Sequence, residues 1–121
     1  MFATMPSCIQ YIRGGMLRAL AVTTMTGSDV LPDIPALAEF VPGYEGSQWY
    51  GVGAPKDTPD QVIEKLNKEI NALATDPAIK ARLAGIGVDA MSMTSAAFGK
   101  FTADEAEKWG NVIRAANIKA E

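Results

Sequence analysis

Leu17 to Thr23, Leu-Arg-Ala-Leu-Ala-Val-Thr, is the stretch that most constrains what this chain can build. It is apolar on both alternating faces, is broken only by Arg18, and follows Gly14-Gly15. A run this short, without polar alternation, reads as a strand buried on both sides, as in a parallel sheet. A helix of this length is the poorer reading. Such a strand requires helices over its faces and further strands along its edges.

The helices are well signalled. Pro6 suits a first helical turn, Ile9 and Ile12 lie three apart on one helical face, and Gly14-Gly15 supplies a stop. Met1-Phe2-Ala3 before it reads as the end of a strand whose body is not in the sequence. Thr58, Pro59 and Gln61 form the start of a second helix, with Thr58 as N-cap and Gln61 completing a capping box. Val62, Ile63, Leu66, Ile70 and Leu73 give it one apolar stripe, and Glu64 and Lys68 pair on its wet side. Asp76-Pro77 opens a shorter helix that runs toward Leu83 and stops at Gly85 or Gly87. Thr94 or Ser95 caps a last, longer one carrying Phe98, Phe101, Trp109, Val112, Ile113 and Ala116 as its core face. Asp104 and Lys108 are spaced to pair, and Asn117 is placed as a C-cap. Gly99 and Gly110 each weaken this helix by about 1 kcal/mol relative to alanine.

Between these lie the connections. Thr24 to Pro35 holds Gly27, Ser28, Asp29, Pro32, Asp33 and Pro35, the composition of a linker. Pro35 opens a short helix toward Phe40, and Val41 to Ser47 is rich in turn residues. Gln48 to Gly53 reads as a second strand and Val88 to Met91 as a short edge strand. The order, helices alternating with a few strands, predicts an α/β protein. A sheet of so few strands has edges that another chain or further sequence must cover.

The chemistry is bounded by what the residues exclude. There is no histidine, so the usual general base near neutral pH and the commonest metal ligand are missing from this sequence. The one cysteine, Cys8, reads as a small buried hydrophobe. A net charge of −3 offers no basic field for nucleic acid. No apolar run reaches the roughly 18 residues of a membrane span. Asp29, Asp33, Glu39 and Glu45 lack metal-loop spacing and read as turn formers, and Gly43, Gly46, Gly51 and Gly53 match no phosphate-loop pattern. The first residues hold neither a cationic stretch nor a long apolar one, so the sequence as written would not direct its own export.

Two places remain. Thr4 and Ser7 flank Pro6 where a strand end meets a helix start, where backbone N–H groups attract anions and hydroxyls add donors. Helix capping is the plainer reading of both. Trp49 and Tyr50 are adjacent, so on a strand one ring enters a core while the other meets a cleft or a partner.

Taken in order, the motifs resemble the Bug, or TctC-like tripartite tricarboxylate transporter, solute-receptor family. Met1-Phe2 followed by Pro6-Ser7 and Ile12-Arg13-Gly14-Gly15 resembles its strand end, helix and glycine stop. Leu17 to Thr23 resembles its LRALAVT strand, and Leu31-Pro32-Asp33-Ile34-Pro35 with Glu39 its proline-rich linker. Val41-Pro42-Gly43-Tyr44, Trp49-Tyr50-Gly51, Ala54-Pro55 and Thr58-Pro59 follow in the family's order, and the tail through Trp109 and Ile118 fits as well. The resemblance runs over essentially the whole chain. Ser28-Asp29 stands where members often carry an arginine, and Phe40 where many have a small residue.

The resemblance implies the C-terminal part of a type II periplasmic-binding-protein-like α/β fold. Residues 1–23 would end the family's second lobe, 24–47 would connect, and 48–121 would return into the first lobe. It implies a periplasmic receptor, non-enzymatic and without cofactor or metal. Such a receptor takes a small carboxylate solute between its lobes and delivers it to membrane transporter subunits. Thr4, Pro6 and Ser7 would face the solute, and Trp49 and Tyr50 would lie on the hinge strand. Family members are well over twice this long, so the pocket is expected to be incomplete. The alternative is a non-catalytic interaction module that homodimerises to cover its exposed sheet edges. No residue constellation supports an enzyme.

Overall fold

The computed structural model describes residues 1–119, so the last two residues of the 48–121 segment lie outside it. Its elements run helix α1 (Met5–Arg13), a 3-10 turn (Leu37–Glu39), α2 (Asp60–Thr75), α3 (Pro77–Gly85) and α4 (Ser95–Ala115). The helix starts follow the sequence chemistry closely at α3 and α4. Asp76 accepts the backbone N–H groups of Ala78 and Ile79 at the head of α3, and the Thr94 hydroxyl accepts that of Ala97 at the head of α4. At α1 the stop is as expected, with Gly14 at the C-cap and Gly15 at φ +71°. Past α4, Asn117 takes the left-handed conformation at φ +51°, one residue beyond the cap at Ala116.

Two side-chain expectations are corrected. Thr58 does not cap α2. Its hydroxyl donates to the Pro55 carbonyl at 2.8 Å, and Pro59, which has no side-chain acceptor, sits at the cap position instead. Lys108 does not pair with Asp104. It turns to Glu45 and Glu105, leaving Asp104 to Lys100. The expected Glu64–Lys68 pair is not among the ion pairs of the described residues; both side chains are exposed on α2, where such a pair contributes little.

The strands are the larger correction. Of Leu17–Thr23, only Val22 enters a bridge, parallel to Ala36; Gln48–Gly53 and Val88–Met91 form no ladder among the described residues. The cause is a missing neighbour, since a strand is defined by the chain it pairs with. Leu20, expected to be buried, is 76 % exposed for the same reason. The architecture is therefore helix-rich with few strands, the partial form of an α/β fold.

The linker behaves less like a tether than its composition predicts. Val22 donates to Pro35 at 2.9 Å and accepts from Leu37 at 2.8 Å, which closes residues 23–35 into a loop. Inside it, Ser28 and Leu31 form an antiparallel bridge, and the buried Ser28 hydroxyl reaches across the chain to Asp89 Oδ2 at 3.1 Å. Glu39 closes the 3-10 turn by accepting the Ala36 N–H at 2.8 Å.

The core is small. Ile9, Val22 and Ala36 are its buried apolar residues among those described, and Ile9 is the one large side chain fully enclosed. The apolar stripe of α2 forms as the periodicity predicts, yet Val62, Leu66, Ile70 and Leu73 stay largely open. The accessible surface is 9372 Å². A compact monomer of 12.8 kDa exposes about 6300 Å². The difference is about 3000 Å², and Val62, Leu66, Ile70 and Leu73 on α2 are among the exposed apolar residues.

Candidate functional site

At the head of α1, Thr4 takes extended backbone angles and occupies the N-cap position, but its side chain caps nothing. Instead its hydroxyl points to Ser7 Oγ at 3.2 Å, and Ser7 Oγ donates to the Thr4 carbonyl at 2.7 Å. The capping reading of these hydroxyls is thus corrected. Pro6 brings no N–H of its own to this turn, and its ring fixes the backbone entering the helix. Thr4, Pro6 and Ser7 are all exposed, so two hydroxyls stand together at the positive end of a nine-residue helix. Behind them Cys8 is half-buried, its Sγ directed at the Thr4 carbonyl at 3.3 Å.

Trp49 and Tyr50 divide as an adjacent pair on an extended chain would. Trp49 packs edge-on against Phe98 and Phe101, with ring centroids 5.7 and 5.3 Å away. Tyr50 is 70 % exposed and its hydroxyl accepts from Gln48 at 2.9 Å. Gly51 follows because the Phe98 ring lies where a β-carbon would be. Between this stretch and helices α2 and α4 lies an open cavity of about 200 Å³, lined by Trp49, Tyr50, Ile63, Asn67, Met93 and Phe98 among others. Thr4, Pro6 and Ser7 do not line it, so the structure leaves the two sets of candidate residues in separate places.

A charged cluster that sequence spacing misassigned braces this region. Lys108 on α4 binds Glu45 at 2.8 Å and also pairs with Glu105; Glu105 is 8 % exposed and accepts the Trp109 indole N–H at 3.0 Å. The Lys108 hydrogen bond holds both carboxyls below the usual range, against a burial cost that pushes them up. The hydrogen bonds it donates to Glu105 and then Glu45 hold the Lys108 ammonium above its usual value. The Trp109 ring, expected in a core, is partly open: it lies against Gly46 on one side and under the Lys108 ammonium at 5.5 Å.

Asn71 is a functional-looking residue that the sequence reading passed over. Its amide donates to the Met93 carbonyl at 2.8 Å and accepts the Met93 N–H at 3.0 Å, while Asn67 donates to the same carbonyl at 2.9 Å. One side chain thus does for Met93 what a neighbouring strand would do. The only signal in the sequence was two asparagines four apart beside an apolar stripe, which equally describes a wet helix face. A second open cavity, lined by Arg13, Arg18, Leu20, Leu31, Asp33 and Pro35, lies between the loop 23–35 and the end of α1 and was not foreseen either. Among the described residues, no group of His, Cys, Asp and Glu is arranged to hold a metal ion, and no helix is long and apolar enough to cross a membrane.

Set beside known proteins, this arrangement is a familiar one. Residues 1–118 match the model of the tripartite tricarboxylate transporter family receptor. Protein BugT of Bordetella pertussis is 34 % identical over 116 residues, covering 95 % of this chain and 36 % of BugT. A UPF0065 protein from the clcB–clcD intergenic region of Pseudomonas knackmussii is 34 % identical over 105 residues, covering 85 % of this chain and 62 % of that protein. Among solved structures, R. palustris Rpa4515 with adipate superposes with a TM-score of 0.82 at 30 % identity, over 93 % of this chain and 38 % of that one. The chain therefore spans about a third of the length of BugT and of Rpa4515. With the ordered motifs, the superposition and a match over residues 1–118 in agreement, the chain belongs to the tripartite tricarboxylate transporter receptor family, whose members are solute-binding receptors.

Proposed function

We propose that this chain is the carboxylate-facing part of a periplasmic receptor that hands small carboxylates to membrane transporter subunits. The observation that carries the reading is the head of α1. There the paired, exposed hydroxyls of Thr4 and Ser7 stand at the positive end of a helix with Pro6 fixing the turn. A carboxylate approaching that end meets partial positive charge and two hydroxyls whose protons, bonded within the pair in this structure, would have to turn to it. The adipate of Rpa4515 supports a dicarboxylate as the first ligand to try. Trp49 and Tyr50 contribute from the extended stretch before α2, with Tyr50 open to a bound solute and Trp49 anchoring the stretch to α4. The charged cluster, one ammonium shared by two carboxylates, serves as a brace between α4 and the stretch at Glu45.

Thermal unfolding of the chain against a panel of mono- and dicarboxylates, adipate included, tests the reading. A ligand at 100 times its Kd adds about 2.7 kcal/mol, and Thr4→Ala and Ser7→Ala are expected to remove that gain. A flat response from a cooperatively unfolding chain rejects it. The second reading, a homodimerising interaction module, rests on the exposed surface, about half as much again as a compact chain shows.

A further inference from the structure

Helix α1 has nine residues, too few to hold itself together in water. Its one fully buried side chain is Ile9. What fixes it in place comes from more than seventy residues away. The Arg13 guanidinium donates through Nη1 to the Gly85 carbonyl at 2.9 Å and through Nη2 to the Ala84 carbonyl at 3.2 Å. The Gln10 amide adds a longer contact to Gly85 at 3.5 Å. Those carbonyls end α3, where a helix gathers partial negative charge; the Ala84 carbonyl also accepts the Gly87 N–H at 3.1 Å and has a second lone pair for Arg13. A planar guanidinium with a fork of donors suits two adjacent carbonyls.

The other end of α1 meets the same turn. Gly87 has φ +78°, and a β-carbon there would fall 2.5 Å from Met5 Cγ and 3.2 Å from the Met5 carbonyl carbon. The first turn of α1 therefore lies directly on Gly87 while its last turn is held at Gly85. Neither contact involves the exposed hydroxyls of Thr4 and Ser7, which lie one residue before Met5 and two after it.

We propose that Arg13 is a positioning residue for the solute site. By docking α1 on the C-terminal end of α3, it sets where Thr4 and Ser7 stand, and solute affinity depends on it without its touching solute. This rests on the reading of Thr4 and Ser7 as carboxylate contacts.

The test joins amide hydrogen exchange with adipate titration on the chain and on Arg13→Ala, Arg13→Lys and Gly87→Ala. Loss of a charged hydrogen-bonded contact corresponds to roughly tenfold. In Arg13→Ala, α1 amides are expected to exchange about that much faster with α2 and α4 unchanged, and adipate to bind about tenfold more weakly. Arg13→Lys, which keeps one charged donor, recovers part of both effects. Gly87→Ala, acting at the opposite end of the helix, reproduces the Arg13→Ala pattern. Unchanged α1 exchange in Arg13→Ala overturns the docking. Faster exchange with unaltered adipate affinity overturns the positioning role. A parent chain that gives no adipate response sinks the receptor reading and the affinity claim together, while exchange still decides the docking on its own.

Discussion

Gly51 shows how one residue can be set by its neighbour. The Phe98 ring occupies the space a side chain would need, and that ring is itself held between Trp49 and Phe101. The ring could yield only by leaving its edge contacts for the open cavity it lines, so Gly51→Ala is an overpacking change and is expected to cost about 1–3 kcal/mol, read as a lowered unfolding midpoint. A tolerated alanine means the aromatic trio is looser than its geometry. Single positions were unevenly legible in the sequence. Asp76, Thr94 and Gly15 act through their own backbone neighbourhood, and their roles could be read directly. Lys108 could not: three carboxylates lie within its reach, and only the path of the chain near Glu45 decides which two it takes.

At the scale of elements, helices were readable because each carries its hydrogen bonds within itself. Strands were not, because their bonds belong to a pairing. Leu17–Thr23 has the apolar pattern of a buried strand, and the pattern is a statement about surroundings that the described chain supplies only at its end, by the bridge at Ala36 and the Gly46 N–H on the Thr23 carbonyl. The stretch through Met93 shows the substitute arrangement, a helix side chain standing in for a strand. Asn71→Ala would leave the Met93 N–H without its partner and remove one of two donors from its carbonyl. The expected loss is about 1–3 kcal/mol, together with faster exchange at the Met93 amide. Wild-type exchange at that amide in the variant would show that water already serves it.

For the whole molecule the decisive quantity is uncovered area. Specific, lasting interfaces bury about 1200–2000 Å² in total, and obligate ones more. This chain exposes about 3000 Å² beyond what its mass requires. Sedimentation of the purified chain is expected to show a mass that rises with concentration in the micromolar range, and a compact monomer throughout would refute the dimerising reading. The family could be recognised because ordered motifs survive along the entire chain. The proposed site was legible only in part: Thr4, Pro6 and Ser7 stand together at the head of α1, whereas Trp49 and Tyr50 line a separate cavity.

The seam along α4 has a further use. Both tryptophans of the chain lie on it, Trp49 against Phe98 and Phe101, and Trp109 between Gly46 and the Lys108–Glu105 pair. Intrinsic emission from this protein is therefore a local instrument. It records whether α4 is seated on the stretch from Glu45 to Gly51, and it is nearly blind to α1, whose ring is Tyr11. A change in emission accordingly reports on α4 and the Glu45–Gly51 stretch, while a change confined to α1 leaves it nearly unaltered.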